Sequence, residues 1–199
     1  MSIKARRIGL FGGAFDPPHS AHVAIARAAL EQLELDELRI LPTGLAWHKA
    51  RALTAAADRL AMVRLAFGDL PGVVIDEREL QRTGASYTID TLNALLAEQP
   101  GSEIYLVMGG DQWAAFSGWR QWQDISHNAR LCVAQRPDQA PAQQHPGLAV
   151  QWLRLPAMPI SASAIRARLA GAAQLLDDPV LLPPAVARYI SDHHLYAAG

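Results

Sequence analysis

Cysteine is nearly absent: Cys132 is the only one in 199 residues. That excludes an internal disulfide and any multi-cysteine zinc site. Lying in the apolar run LCVA, its thiol reads as a buried core group. Lysine is almost as scarce, with Lys4 and Lys49 alone, so arginine carries nearly all the positive charge. Neither sign of charge predominates. The formal net charge is −1, which excludes bulk attraction to nucleic acid or to an anionic membrane. No apolar run is long enough to span a bilayer, and no signal-peptide pattern opens the chain. A cytoplasmic protein with no nucleic-acid or membrane partner is expected. No segment repeats at a fixed period, and no set of His, Cys, Asp and Glu has the spacing of a protein-only metal site.

What is present is a large apolar fraction, 50% of residues, enough to bury a core as one domain over residues 1–199. Strand-like and helix-like runs alternate. A helix carrying Val23, Ala26, Leu30 and Leu33 on one stripe follows an opening strand, and ELRILP (37–42) reads as the next strand. Thr54 is placed to cap a helix through Phe67, GVVID (72–76) is strand-like, and 88–98 is helical. IYLVM (104–108) and 130–134 are near-continuous apolar strands of the kind buried on both faces of a sheet. The Pro- and Gln-rich stretch 136–147 reads as a surface loop between strands, the second at 150–155. Helices at 159–169 and 184–193 close the chain. This alternation predicts an α/β fold, a parallel sheet with helices on both faces, plus a small helical C-terminal part.

Ligands of open parallel sheets bind beyond the carboxyl ends of the strands, and chemistry collects there. The first strand runs into GGAFDPPHSAH (12–22), a glycine turn feeding a helix, where backbone N–H groups can approach a phosphate. His19 and His22, three apart, share one face of that helix's first turn. The second strand is followed by TGLAWHKA with His48 and Lys49, the third by ERELQRTGASYT, and the fourth by Gly109, Gly110, Asp111 and an aromatic group, Trp113, Phe116, Trp119 and Trp122. Arg136 follows the fifth, and ISASAIR ends at Arg166. One rim thus gathers cations for phosphates, a carboxylate for ribose hydroxyls and flat rings for a base. Each piece has a plainer reading. Asp111 fits a helix cap, most of the tryptophans fit a core, and Ser161 or Ser163 fits a helix start. His127, His145, His193 and His194 read as surface residues.

The complete pattern GGAFDPPHSAH resembles the GxFxPxHxGH motif of the nucleotidylyltransferases, with Ala21 where that superfamily has glycine. LQRTGASYTIDTL (80–92), MGGDQW (108–113), FSGW (116–119), QRP (135–137), ISASAIRARL (160–169) and LPPAVARYISDHHLY (182–196) narrow the likeness to the bacterial nicotinate-nucleotide adenylyltransferases. The resemblance implies a Rossmann-like doubly wound sheet and adenylyl transfer from ATP to nicotinate mononucleotide, a step of NAD biosynthesis, with Mg2+ delivered with ATP. It implies His19, His22 and Arg166 as catalytic residues. Gly12, Gly13, Phe15, Lys49, Arg136, Ser161 and Ser163 would meet the ATP phosphates and Asp111 a ribose. Tyr87, Thr88 and Trp119 would hold the nicotinate ring and its carboxylate. His48 keeps the end of a loop that reads AWH rather than the family's PPH, and its role is open. So is the assembly, a monomer or a small homo-oligomer. Three rivals stay in view: phosphopantetheine adenylyltransferase, which the SYT and FSGW segments oppose; an aminoacyl-tRNA synthetase, opposed by short length and the lack of a KMSKS-like segment; and a non-catalytic nucleotide sensor, opposed by His19, His22 and Arg166.

Overall fold

The computed structural model describes residues 5–44, 53–135, 145–158, 160–171, 178 and 180–197. In its central strands, successive side chains point to opposite faces, and the sequence puts apolar groups on both. In β4 (Glu103–Gly109), Ile104, Leu106 and Met108 enter one buried cluster while Tyr105 and Val107 enter another. In β1 (Arg7–Gly13), Leu10 goes to the first cluster and Phe11 to the second; in β5 (Arg130–Gln135), Leu131 and Val133 oppose Cys132 and Ala134. Strands apolar on both faces need helices on both, and they have them.

Helices α1 (Ser20–Gln32) and α2 (Ala56–Phe67) cover the second cluster, bringing Ile25, Ala26, Ala29, Val63 and Phe67. Helices α4 (Thr88–Glu98), α5 (Gly110–Ala114) and α6 (Trp122–Asn128) cover the first with Ile89, Leu92, Leu95, Trp113 and Ile125. A third cluster joins α7 (Ala162–Gly171) and α8 (Pro184–Asp192) to Met62 of α2 and Ala21 of α1, which is the expected helical C-terminal part. Burial pushes the Cys132 thiol up to about 12; it is the inert core group its sequence context indicates.

With β2 (Glu37–Pro42), β3 (Val73–Ile75) and β6 (Val150–Arg154), the strands form a six-stranded sheet ordered β3-β2-β1-β4-β5-β6, every pair parallel. The chain winds outward from β1 to β3, then crosses back to lay β4 against the other side of β1. The order therefore reverses between β1 and β4. Among the described residues no helix is long and apolar enough to cross a membrane.

Some local expectations are corrected. Thr54 does not cap α2: its carbonyl accepts from Arg59 Nε and its N–H is given to Asp16, and the helix starts after Ala55. The late helix starts at Ala162 rather than near 159, with the Ser161 hydroxyl accepting the Ala164 N–H. His145 is not a solvated surface residue: it lies edge-on to the Trp113 ring at 4.5 Å, with Nε2 2.8 Å from the Trp113 carbonyl oxygen. Asp111 does not cap α5 either; Gly109 holds that position.

Candidate active site at the β1–β4 switch point

Where β1 and β4 part, a cavity of about 720 Å³ opens at the carboxyl ends of the strands. Gln112 sets its back wall. Its Oε1 accepts from the Gly109 N–H at 3.1 Å and its Nε2 donates to the Gly12 carbonyl at 3.3 Å, so one side chain spans the two diverging strand ends. The glycines keep the wall bare of side chains; a Cβ on Gly109 would meet nothing within 4 Å, leaving room for a ligand.

Phe15, in the left-handed region at φ 46°, turns the chain out of β1 toward α1. Its ring is buried edge-on to Phe11, Phe67 and the His22 imidazole, the last at 5.1 Å. The side chain therefore acts as a buttress for His22, while its backbone stays on the cavity wall. His19 and His22 stack with ring centroids 3.7 Å apart at 20°. His22 Nδ1 accepts from the His19 backbone N–H at 3.2 Å. An imidazole that accepts at Nδ1 carries its proton on Nε2, so the other edge of His22 is a donor. Ala21, where the family motif has glycine, is buried in the third cluster with Met62 and Ile165, and its methyl is absorbed by the α2–α7–α8 packing.

The loop is tied down with the help of Asp16 and Arg59, which the sequence did not single out. Asp16 is buried, accepting from Tyr196 Oη at 2.6 Å and from the Thr54 N–H at 3.3 Å. Arg59, also buried, donates Nη1 to the carbonyls of Ala14 and Thr43. Burial lowers its pKa, with Asp16 and Tyr196 pulling the other way. Arg166 Nη1 donates to the Asp16 carbonyl at 2.6 Å and Nη2 to Ser163 Oγ at 3.1 Å. The two serines are thus distinguished: Ser161 caps the helix and Ser163 holds the guanidinium. DPP, ISASAIR and the closing LY carry the sequence traces of this knot, and nothing local connects them.

On the far wall, Tyr87 caps α4, and Thr88 and Thr91 line the cavity from its first turn. Behind them lies Glu79, in the short helix α3 (Arg78–Gln81); its Oε1 accepts from Thr91 Oγ1 at 3.0 Å, and Thr91 Oγ1 accepts from Arg82 Nη1 at 2.8 Å. Ser86 Oγ donates to the Glu79 carbonyl. Trp119, half-buried beside Phe116, and Asp111, exposed in α5, complete the wall. The structure therefore brings together Gly12, Gly13, Phe15, His19, His22, Tyr87, Thr88, Asp111, Trp119, Ser161, Ser163 and Arg166 around one cavity. His48, Lys49 and Arg136 lie outside the described residues. Among the described residues no group of three or more His, Cys, Asp or Glu side chains is arranged to hold a metal ion.

A doubly wound parallel sheet with its cavity at the strand-order reversal, histidines at the first helix start and a bare glycine wall, defines a Rossmann-like nucleotide-binding domain. Comparison with known proteins is more specific. The profile of the cytidylyltransferase-like family matches residues 10–168. A probable nicotinate-nucleotide adenylyltransferase of Albidiferax ferrireducens is 49% identical, the match covering 96% of this chain and 98% of that protein. One of the same description from Methylibium petroleiphilum is 44% identical over 96% and 93%. In fold, the chain resembles the Plasmodium falciparum nicotinic acid mononucleotide adenylyltransferase complexed with NaAD, at a TM-score of 0.76 and 19% identity, covering 96% of this chain and 97% of that one. The chain belongs to the cytidylyltransferase-like family and, within it, to the nicotinate-nucleotide adenylyltransferases.

Proposed function

We propose that the protein joins nicotinate mononucleotide to the adenylyl group of ATP, giving nicotinate adenine dinucleotide and pyrophosphate, a step of NAD biosynthesis. The observation that carries this reading is the pairing of the stacked His19 and His22 with Arg166, all anchored to the one loop that leaves β1. A phosphate oxygen of the mononucleotide attacks the α-phosphorus of ATP. The bond from that phosphorus to the α–β bridging oxygen breaks, and pyrophosphate leaves with the electron pair. The attacking phosphate is already ionised near neutral pH, so the chain needs neither a base nor a nucleophile of its own. Its work is to align two anions and neutralise the charge that gathers on the leaving side.

In this reading, His22 donates from Nε2 to the α-phosphate, and His19 lies against the same group. Arg166, held in aim by Asp16 and Ser163, receives the β- and γ-phosphates as they depart. The amides at Gly12, Gly13 and Phe15 approach the triphosphate, and Ser161 offers its hydroxyl proton, its oxygen being engaged by Ala164. Asp111 takes a ribose hydroxyl. Trp119 stacks on the pyridine ring, and the first amides of α4 at Tyr87 and Thr88 meet the nicotinate carboxylate, favoured by the positive end of the helix. Magnesium delivered with ATP would supply positive charge to the phosphates as the transfer proceeds.

The test is pyrophosphate release from ATP and magnesium, with nicotinate mononucleotide as acceptor. Release that depends on the acceptor is expected. In His19→Ala it should fall about 10²–10³-fold, the usual cost of removing one preorganised donor, while ATP still binds by calorimetric titration. Unchanged turnover in that variant would sink the role given to His19. ATP binding without release for any phosphate acceptor would make the protein a nucleotide sensor.

A further inference from the structure

We propose that Arg120 is a specificity-determining residue, supplying the cation that lets this cavity prefer an acceptor ending in a carboxylate over the same acceptor ending in a neutral amide. The inference rests on the acceptor reading above and assigns a charge to its ring-binding end.

The described cavity wall carries two guanidinium groups, and they belong to different sides. Arg166 sits on the His19 side, fastened to Asp16 and Ser163. Arg120 follows Trp119 in sequence and lies with its Cζ 4.7 Å from the centroid of the Tyr87 ring, beside the start of α4. A mononucleotide acceptor with an acidic ring is an anion at both ends, a phosphate at one and a carboxylate at the other. Arg166 is taken by the departing pyrophosphate, so Arg120 is the guanidinium of this wall left for the carboxylate end.

The charge balance at the α4 end favours a further cation there. Glu79 is buried in the cavity wall just behind Thr91. A second carboxylate brought next to it meets like charge in a partly desolvated place. Arg82 is turned to Glu79 instead: its Nη1 donates to Thr91 Oγ1, the same hydroxyl that donates to Glu79, and its charge acts on that carboxylate. Arg120 differs from the other arginines near this wall. Among the described residues it makes no ion pair and no hydrogen bond, and its Cζ lies over the Tyr87 ring. A cation–π contact of that kind steadies a guanidinium without using its N–H donors. An exposed, oriented and uncommitted donor set at the mouth of a carboxylate site is placed to close over an entering anion. A neutral carboxamide gains little from it.

The experiment measures kcat/KM for nicotinate mononucleotide and for nicotinamide mononucleotide, with saturating ATP and magnesium, in wild type, Arg120→Met and Arg120→Lys. Methionine keeps an unbranched stem over Tyr87 and removes the charge; because Arg120 is exposed, the melting temperature should stay at the wild-type value. The preference for the nicotinate form, taken as the ratio of the two kcat/KM values, should fall about tenfold in Arg120→Met, the size of one charge-assisted hydrogen bond. Most of the loss should appear in KM of the nicotinate form. Arg120→Lys keeps the charge without the guanidinium's forked donors and should fall between the two. A ratio in Arg120→Met equal to wild type, whether or not both rates drop together, would overturn the proposal. A wild-type protein that releases pyrophosphate with neither mononucleotide overturns the activity itself, and this inference with it; the two failures are distinguished by the wild-type rates alone.

Discussion

Burial pushes the Glu79 carboxyl above the ordinary 4.5, against the opposing pull of the Thr91 hydroxyl and the Arg82 charge. A carboxyl raised in the folded state contributes stability that is full below 4.5 and is lost as pH rises through the folded value. Three residues earlier the sign reverses. Burial also works against ionised Asp76, but hydrogen bonds from Arg78 and Arg39 outweigh it and hold that carboxyl below 3.8. Its contribution is full above 3.8 and is lost as pH falls through the folded value. Glu79→Gln keeps an oxygen for Thr91 and removes the charge. Its melting temperature relative to wild type should therefore rise from pH 4 to pH 8. A difference that shrinks over that range would show that the Glu79 anion is stabilised by the fold, contrary to its burial. Both residues sit in or beside a four-residue helix, so their protonation bears on the wall that carries Thr91.

At the scale of elements, α3 is held by contact rather than by its own length. Gly44, just after β2, packs directly on the Glu79 main chain, and a Cβ there would run into the Glu79 carbonyl oxygen and approach Ser86 Oγ at 3.2 Å. Gly44→Ala should cost about 1–3 kcal/mol, the range for overpacking a close contact, read by denaturant titration. A variant as stable as wild type would mean that α3 moves freely against the β2 loop. The same feature explains what could be read without a structure. The long elements announced themselves: β2 and α4 run over the residues expected, because six to eleven residues of consistent period fix register and face. The short helices α3, α5 and α6 gave no such signal, since four to seven residues are below the length at which a helix is stable by propensity. Their existence follows from packing around Trp113, Phe116 and Glu79. Likewise the His19–His22 pair was legible because both members sit on one turn. Gln112, Arg59 and Arg120 were not, because each acts on a partner that only the fold brings near.

Across the whole molecule, the last described helix and the residues after it return to the first loop. The hydrogen bond from Tyr196 to Asp16 joins positions 180 apart in sequence, and the Asp16 carbonyl is held in turn by Arg166. Tyr196→Phe leaves a buried carboxylate short of one donor and should cost about 1–3 kcal/mol, seen as a lower unfolding midpoint. Because Asp16 also aims Arg166, pyrophosphate release should slow in the same variant. Full activity at a lowered midpoint would make the tie structural only. The knot also sets an order in time. A ribosome delivers the β1 loop first and Tyr196 long afterwards, so the tie to Asp16 forms only once the closing residues have been made. The loop that carries His19 and His22 is made first and tied down last.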